Sequence, residues 1–228
     1  MIELYSWPTP NGQKVHIALE EMGLKYEAHP VDITRGEQFS PEFLKISPNN
    51  RIPAIVDRQG PGNGPFSLFE SGAILLYLAE KSGQFLPADA VGRMRAVEWL
   101  MFQMGGVGPM FGQCGHFRNY APEQVHYGID RYTRETERLL TVLDQRLSES
   151  AYLAGGEYTI ADMATYPWVL IIDRLGQDPA AFPNVLRWRD ELGQRAGVQR
   201  GMEVLREHTV KPEELDEKAR QNLFGRSR

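Results

Sequence analysis

Three short groups of side chains in the first third of the chain have the types and spacing to hold a ligand. Thr9 and Asn11 follow the apolar run Ile2 to Ser6 and precede a helical pattern. They therefore stand at a helix N-terminus, where backbone amides and the helix dipole favour an anion such as a thiolate. A hydroxyl and a carboxamide are no nucleophiles of the needed kind but are good donors, and a hydrogen bond to a charged acceptor contributes about 1.5 to 3 kcal/mol before solvent competes. Glu70 and Ser71 open a second helical pattern. There the Ser71 amide and hydroxyl can meet a carboxylate and the Glu70 carboxylate an ammonium, the two groups of an amino-acid head. Ile52–Pro53, within the stretch Ser47 to Pro53, stands just before the apolar run Ala54 to Val56. A cis bond there turns the amide and carbonyl of Ile52 outward, where an extended peptide can pair with them as one more strand. Each group also has a plainer reading: a turn and cap at Asn11-Gly12, a helix cap with a favourable first-turn acid at Glu70-Ser71, and an ordinary trans loop before an edge strand at Ile52–Pro53.

Other residues that could do chemistry are less well placed. Cys114 is the one cysteine, which excludes an internal disulfide and any Cys-x-x-Cys redox or zinc pair. His116 lies two residues on, where helical side chains diverge, so the two read as structural and not as nucleophile and base. Redox chemistry would have to borrow its sulfur from a ligand. Gly105 to Pro109 is rich in glycine but follows a helical pattern, which disfavours a phosphate loop. The net charge of -5, with no long cluster of Lys and Arg, leaves nucleic acid no footprint. Met1 leads directly into an apolar strand and no apolar run has the length a bilayer demands, so a cytoplasmic protein without membrane contact is expected.

The elements that must position these groups are legible in order. Ile2 to Ser6 reads as a strand, Trp7 to Gly12 as a loop, and Val15, Ile17, Ala18, Leu19 and Met22 as a helix ending at Gly23. Tyr26 to Val31 is a second strand, parallel to the first. A polar loop from Asp32 to Phe39 leads to a short helix, Glu42 to Ile46, capped by Ser40 and Pro41. Ala54 to Val56 and Phe66 to Phe69 form a hairpin around Gly60 to Pro65, and Ser71 to Lys81 closes the unit as a helix. The order β-α-β-α-β-β-α is that of a thioredoxin-like domain. Everything beyond Gly83 is helical in pattern: Arg93 to Gln103, a helix weakened or kinked by Gly105 to Pro109 before Met110 to Phe117, and a long amphipathic helix from Pro122. Thr159 to Asp162 is a start like a capping box for a buried helix running to about Leu175, followed by helices over Pro183 to Leu192 and Val198 to Leu205. The polar tail after Glu207 reads as loose.

Four stretches carry a resemblance over the full length: Pro8-Thr9-Pro10-Asn11-Gly12, Ser47 to Pro53, Phe69 to Ile74 with Tyr77-Leu78, and Thr159 to Asp162. In these the chain resembles the cytosolic glutathione transferases, and more narrowly the bacterial nu class of glutathione-dependent disulfide-bond oxidoreductases. The resemblance implies an α/β plus all-α fold, with a thioredoxin-like glutathione-binding domain over 1–83, an all-helical bundle over 89–206 and a polar tail over 207–228. It implies glutathione as co-substrate, no metal, a homodimer, and glutathione or its disulfide held in a cleft between the domains. Thr9 and Asn11 become the catalytic donors to the glutathione sulfur. Asn11, Gln38, Ile52, Pro53, Glu70, Ser71 and Arg131 become glutathione contacts, Gln38 at the glycine end or backbone and Arg131 at a carboxylate. Other classes of the family use residues like Tyr5 and Ser6 at the sulfur; Tyr5 reads as strand core, and Ser6 stays a rival to Thr9. The expected reaction is thiol–disulfide exchange on a small disulfide through bound glutathione. Conjugation of glutathione to hydrophobic electrophiles and a non-catalytic glutathione-binding regulator are the alternatives.

Overall fold

The computed structural model describes residues 1–225, and the chain divides into two compact units, Met1–Leu78 together with the chain from Arg200 onward, and Ala79–Gln199. In the first unit the strands β1 (Ile2–Ser6), β2 (Tyr26–Pro30), β3 (Ala54–Asp57) and β4 (Phe66–Phe69) form a sheet in the order β2-β1-β3-β4. β1 runs parallel to β2 and antiparallel to β3, and β4 is antiparallel to β3. Helix α1 (Pro10–Glu21) joins β1 to β2, α2 (Pro41–Ile46) precedes β3, and α3 (Ser71–Ser82) follows β4.

Alternation along the strands sorts the core. Tyr5, Ala54 and Phe69 face a cluster made with Val31, Phe43, Ile46 and Ile52, while Leu4 and Ile55, one position on, point to the opposite face. Helix α1 starts earlier than its apolar stripe indicates, because Thr9 is already extended and Pro10, whose fixed φ suits the first helical turn, takes the leading position. Its close approach to β1 depends on Gly12, where a Cβ would lie 2.1 Å from the Trp7 carbonyl oxygen. Ser40 Oγ accepts from the Phe43 amide at 3.3 Å, the cap expected for α2. The Tyr77 hydroxyl donates to the buried Asp57 carboxylate at 2.6 Å and pins α3 to β3.

From Arg200, within the helix read over Val198 to Leu205, through the described part of the tail read as loose after Glu207, the chain folds onto this unit. Arg200 Nε donates to Glu20 Oε2 at 2.7 Å, and a Cβ on Gly201 would meet Ile17 Cα at 2.6 Å, so this stretch lies directly on α1. Farther along, His208 stacks on Trp7 with ring centroids 5.1 Å apart. A short helix over Glu217–Arg220 then buries Ala219 and Asn222 against the unit. Polar composition hid this, because the segment is held mainly by side-chain hydrogen bonds and one aromatic stack rather than by an apolar stripe.

The second unit contains α4 (Ala90–Phe102), α5 (Gly108–Gly115), α6 (His126–Glu149), α7 (Ile160–Val169) and α8 (Pro183–Gly193). Gly105 and Gly106 do not interrupt the helical path: a wider π-helical turn, Gln103–Val107, carries the backbone from α4 into α5. Gly108 packs close there, since a Cβ would sit 2.8 Å from the buried Gln103 amide nitrogen and would make that side chain shift. α6 begins four residues later than Pro122, and the exposed residues 122–125 before it are not helical. α7 ends at Val169, short of Leu175, which closes a following 3-10 turn, Ile172–Leu175. Thr159 and Asp162 form the expected capping box at its start. Among the described residues no helix is long and apolar enough to cross a membrane.

Candidate active site

The strand register delivers the first-unit candidates to one edge of the sheet. Tyr5 pairs with Ala54 and Ala54 with Phe69, so the residues that follow β1, precede β3 and follow β4 emerge side by side. These are Ser6 leading to Thr9, Ile52–Pro53, and Glu70 leading to Ser71. The Ile52–Pro53 bond is cis, and the turn before it is held by Ser47, whose hydroxyl donates to the Arg51 carbonyl at 2.8 Å.

Thr9 occupies the N-cap position of α1 but makes no side-chain cap bond, so its hydroxyl is left for another partner. Asn11 is half-buried in the first turn. Ser6 is turned the other way. It is fully buried, its hydroxyl lies 3.5 Å from the Trp7 carbonyl oxygen, and it shares a hydrogen bond with His16 Nε2 at 2.8 Å. In this structure the Ser6 side chain is held in that inward network.

Glu70 has φ 71, left-handed backbone that a side chain with a Cβ adopts only at a cost. Its carboxylate is exposed while Ser71 behind it is buried. Under the pair lies Lys14, which sequence reasoning missed: it is 1% exposed and its Nζ donates to Ser71 Oγ at 3.4 Å. Burial pulls the Lys14 ammonium down to about 7, a shift that the charge of Glu70 partly opposes. The signal was present in the spacing, since Lys14 falls three and four residues before the buried Ile17 and Ala18, on the face that goes into the core.

Gln38 is buried and engaged. Its Nε2 donates to the carbonyls of Ile33 at 3.3 Å and Asn222 at 3.2 Å, while its Oε1 has no partner. Asn222 in turn donates through Nδ2 to the Thr34 carbonyl at 2.7 Å. Arg131 lies in the other unit, exposed on α6 one turn from Glu135, whose carboxyl is held low chiefly by its hydrogen bond to Arg138 and to a lesser degree by the charge of Arg131. Cys114 is fully buried in α5, its Sγ donating to the Leu175 carbonyl at 3.5 Å. Among the described residues no group of His, Cys, Asp and Glu could hold a metal ion.

The chain belongs to the glutathione S-transferase family: its residues 1–80 match the model of the N-terminal domain and 122–196 that of the C-terminal domain. It is 51% identical over 196 residues to disulfide-bond oxidoreductase YfcG of Escherichia coli (strain K12), covering 86% of this chain and 91% of that protein. A glutathione transferase family member from Pseudomonas fluorescens pf-5, solved with two glutathione bound, superposes with TM-score 0.85 at 49% identity, covering 89% of this chain and 92% of that one. A glutathione transferase from Pseudomonas putida, with one glutathione disulfide bound per subunit, gives TM-score 0.85 at 49% identity, covering 89% of this chain and 91% of that one.

Proposed function

We propose that the protein is a glutathione-dependent disulfide-bond oxidoreductase of the nu class, acting in the cytoplasm as a homodimer. The observation that carries this reading is the one sheet edge shared by Thr9, Ile52 and Glu70, in a protein whose one cysteine is buried in another unit. Glu70 and Ser71 take the amino-acid head of glutathione, the Ile52 backbone pairs with its cysteinyl portion, and the sulfur comes to Thr9 and Asn11. Gln38 and Pro53 complete the peptide's surroundings, and Arg131 is assigned to a glutathione carboxylate by resemblance.

Thr9 Oγ and Asn11 Nδ2 donate to the sulfur, and with the positive end of α1 they keep it ionised near neutral pH. The thiolate attacks one sulfur of a small disulfide; a new S–S bond forms to glutathione, the old one breaks, and the departing thiolate takes a proton from water. A second glutathione thiolate then attacks the glutathione sulfur of this mixed disulfide. Glutathione disulfide forms and the second thiol of the substrate leaves. Two glutathiones are oxidised by two electrons in all, and one disulfide is reduced to two thiols. The protein supplies position and charge, and no sulfur.

Turnover of 2-hydroxyethyl disulfide compared with that of 1-chloro-2,4-dinitrobenzene, both with glutathione, is the deciding measurement. Reduction of the disulfide well above conjugation is expected. Preferential conjugation would make the protein an ordinary transferase, and tight glutathione binding with neither activity would make it a regulator.

A further inference from the structure

The amino-acid head of glutathione carries one carboxylate and one ammonium, and Glu70 adds a second carboxylate. These three charges sum to minus one, and although Glu70 is exposed, a carboxylate meeting the buried Ser71 favours a cation close behind it. The compensating cation is already present behind the site, where Lys14 Nζ donates to Ser71 Oγ at 3.4 Å from the first turn and a half of α1. We infer that Lys14 is a positioning residue for the ligand's α-carboxylate: acting through Ser71, its buried ammonium brings the charge of the occupied site to zero.

This inference rests on the glutathione reading above and adds a linkage to it. Glu70 just after β4 acts on Lys14 by its charge, and Ser71 of α3 is among the polar groups against it. Before ligand arrives, burial holds the Lys14 ammonium near 7, so above that pH the group is largely neutral. A carboxylate arriving at Ser71 favours the charged form. Lys14 should therefore take up a proton as the ligand binds, and affinity should decline as pH rises above neutrality. A lysine serving only as packing would show neither effect.

The test uses S-methylglutathione, which has no thiol proton to lose, and its analogue 4-aminobutyryl-(S-methyl)cysteinylglycine, which lacks only the α-carboxylate. Calorimetric titration at pH 8 in phosphate and in Tris reads the protons exchanged. The wild type should take up most of one proton with S-methylglutathione and none with the analogue. Lys14→Met should abolish the uptake and weaken S-methylglutathione by about tenfold or more, the scale of one charge-assisted bond, while leaving the analogue within about twofold. Lys14→Gln, which keeps a donor for Ser71, serves if the methionine variant does not fold. Equal losses for both ligands, or no proton uptake by a wild type that binds S-methylglutathione, overturns the inference. A wild type that binds neither ligand overturns the glutathione reading itself.

Discussion

The indole of Trp188 donates to Oδ1 of Asp162 at 2.9 Å, both residues wholly inside the helical unit. The same carboxylate accepts from the Leu153 amide at 3.0 Å and, through Oδ2, from the amide of Thr159 at 3.0 Å and its hydroxyl at 3.2 Å. Burial pushes the Asp162 carboxyl upward, and these four donors oppose that shift. One carboxylate thus ties α7 to α8 and to the loop before α7. Thr159→Ala, which removes the cap and one of the four donors, should cost about 1 kcal/mol. Asp162→Ala strands three buried partners and should cost about 3 kcal/mol or more. Urea titrations measure both, and the folded Thr159 variant should keep normal turnover at low temperature.

Substitutions around the sulfur test whose thiol does the work. Asn11→Ala should lower disulfide reduction about a hundredfold, on the order of the 2.7 kcal/mol that one donor to a developing anion supplies. Thr9→Ala should fall between that variant and the wild type. Cys114→Ser should keep most of the activity, and iodoacetamide applied before glutathione should leave the enzyme active. A folded but dead Cys114 variant would mean that the protein carries its own redox cysteine.

At Glu70 the backbone separates binding from stability. Glu70→Ala keeps the left-handed backbone and removes the carboxylate, so glutathione affinity should fall by about tenfold or more, as for a lost charged hydrogen bond, with little change in melting temperature. Glu70→Gly should bind equally poorly and melt higher than the alanine variant, because glycine relieves the strained φ. A lower melting temperature for Glu70→Ala with unchanged affinity would mean that the residue serves only the start of α3.

Acid should act through His16. Burial holds its imidazole down to about 4 from an ordinary 6.5, so between those values the unfolded chain binds more protons than the folded one. Stability therefore falls as pH falls through that window, by about 3 kcal/mol at most. His16→Gln retains a hydrogen-bond partner for Ser6 Oγ and does not titrate, and its advantage over the wild type should grow by that amount between pH 6.5 and pH 4 in denaturant titrations. Lys14 has the same sign in a higher window, adding stability as pH rises from about 7 to 10.5.

The bond from Gln38 to Asn222 predicts competition. If Gln38 meets glutathione through Nε2, that group must first leave the Asn222 carbonyl, a step made easier when the Nδ2 anchor to Thr34 is lost. Asn222→Ala should tighten glutathione binding by about threefold to tenfold, the scale of one neutral hydrogen bond. Unchanged or weaker binding by calorimetry would assign Gln38 to holding the C-terminal segment alone.

Local chemistry made much of this legible. Strand β1 alternates cleanly, Ser40 and Thr159 are strong caps, and the Ile52–Pro53 bond is cis as its place before β3 leads one to expect. What stayed hidden was set by tertiary contact. Gly105 and Gly106 read as breakers, yet a π turn uses them; Pro122 reads as a start, yet α6 begins only at His126. Lys14 lies on the core-facing side of α1, but its partner Ser71 is 57 residues away and appears only once α1 and α3 are placed together. The resting place of Asn222 depends on a partner 184 residues away, beyond any local pattern.

The covering of α1 by Gly201 also sets an order in time. A ribosome finishes Leu78 long before it reaches Arg200, with the whole of Ala79–Gln199 still to be made. At about 5 to 20 residues per second that interval lasts roughly 6 to 24 s. Throughout it the nascent sheet and its helices carry Ile17 without the glycine that later lies on it. The first unit to emerge is thus the last to be finished, and a chain stopped anywhere before Arg200 leaves an apolar gap on the half that holds Thr9, Ile52 and Glu70.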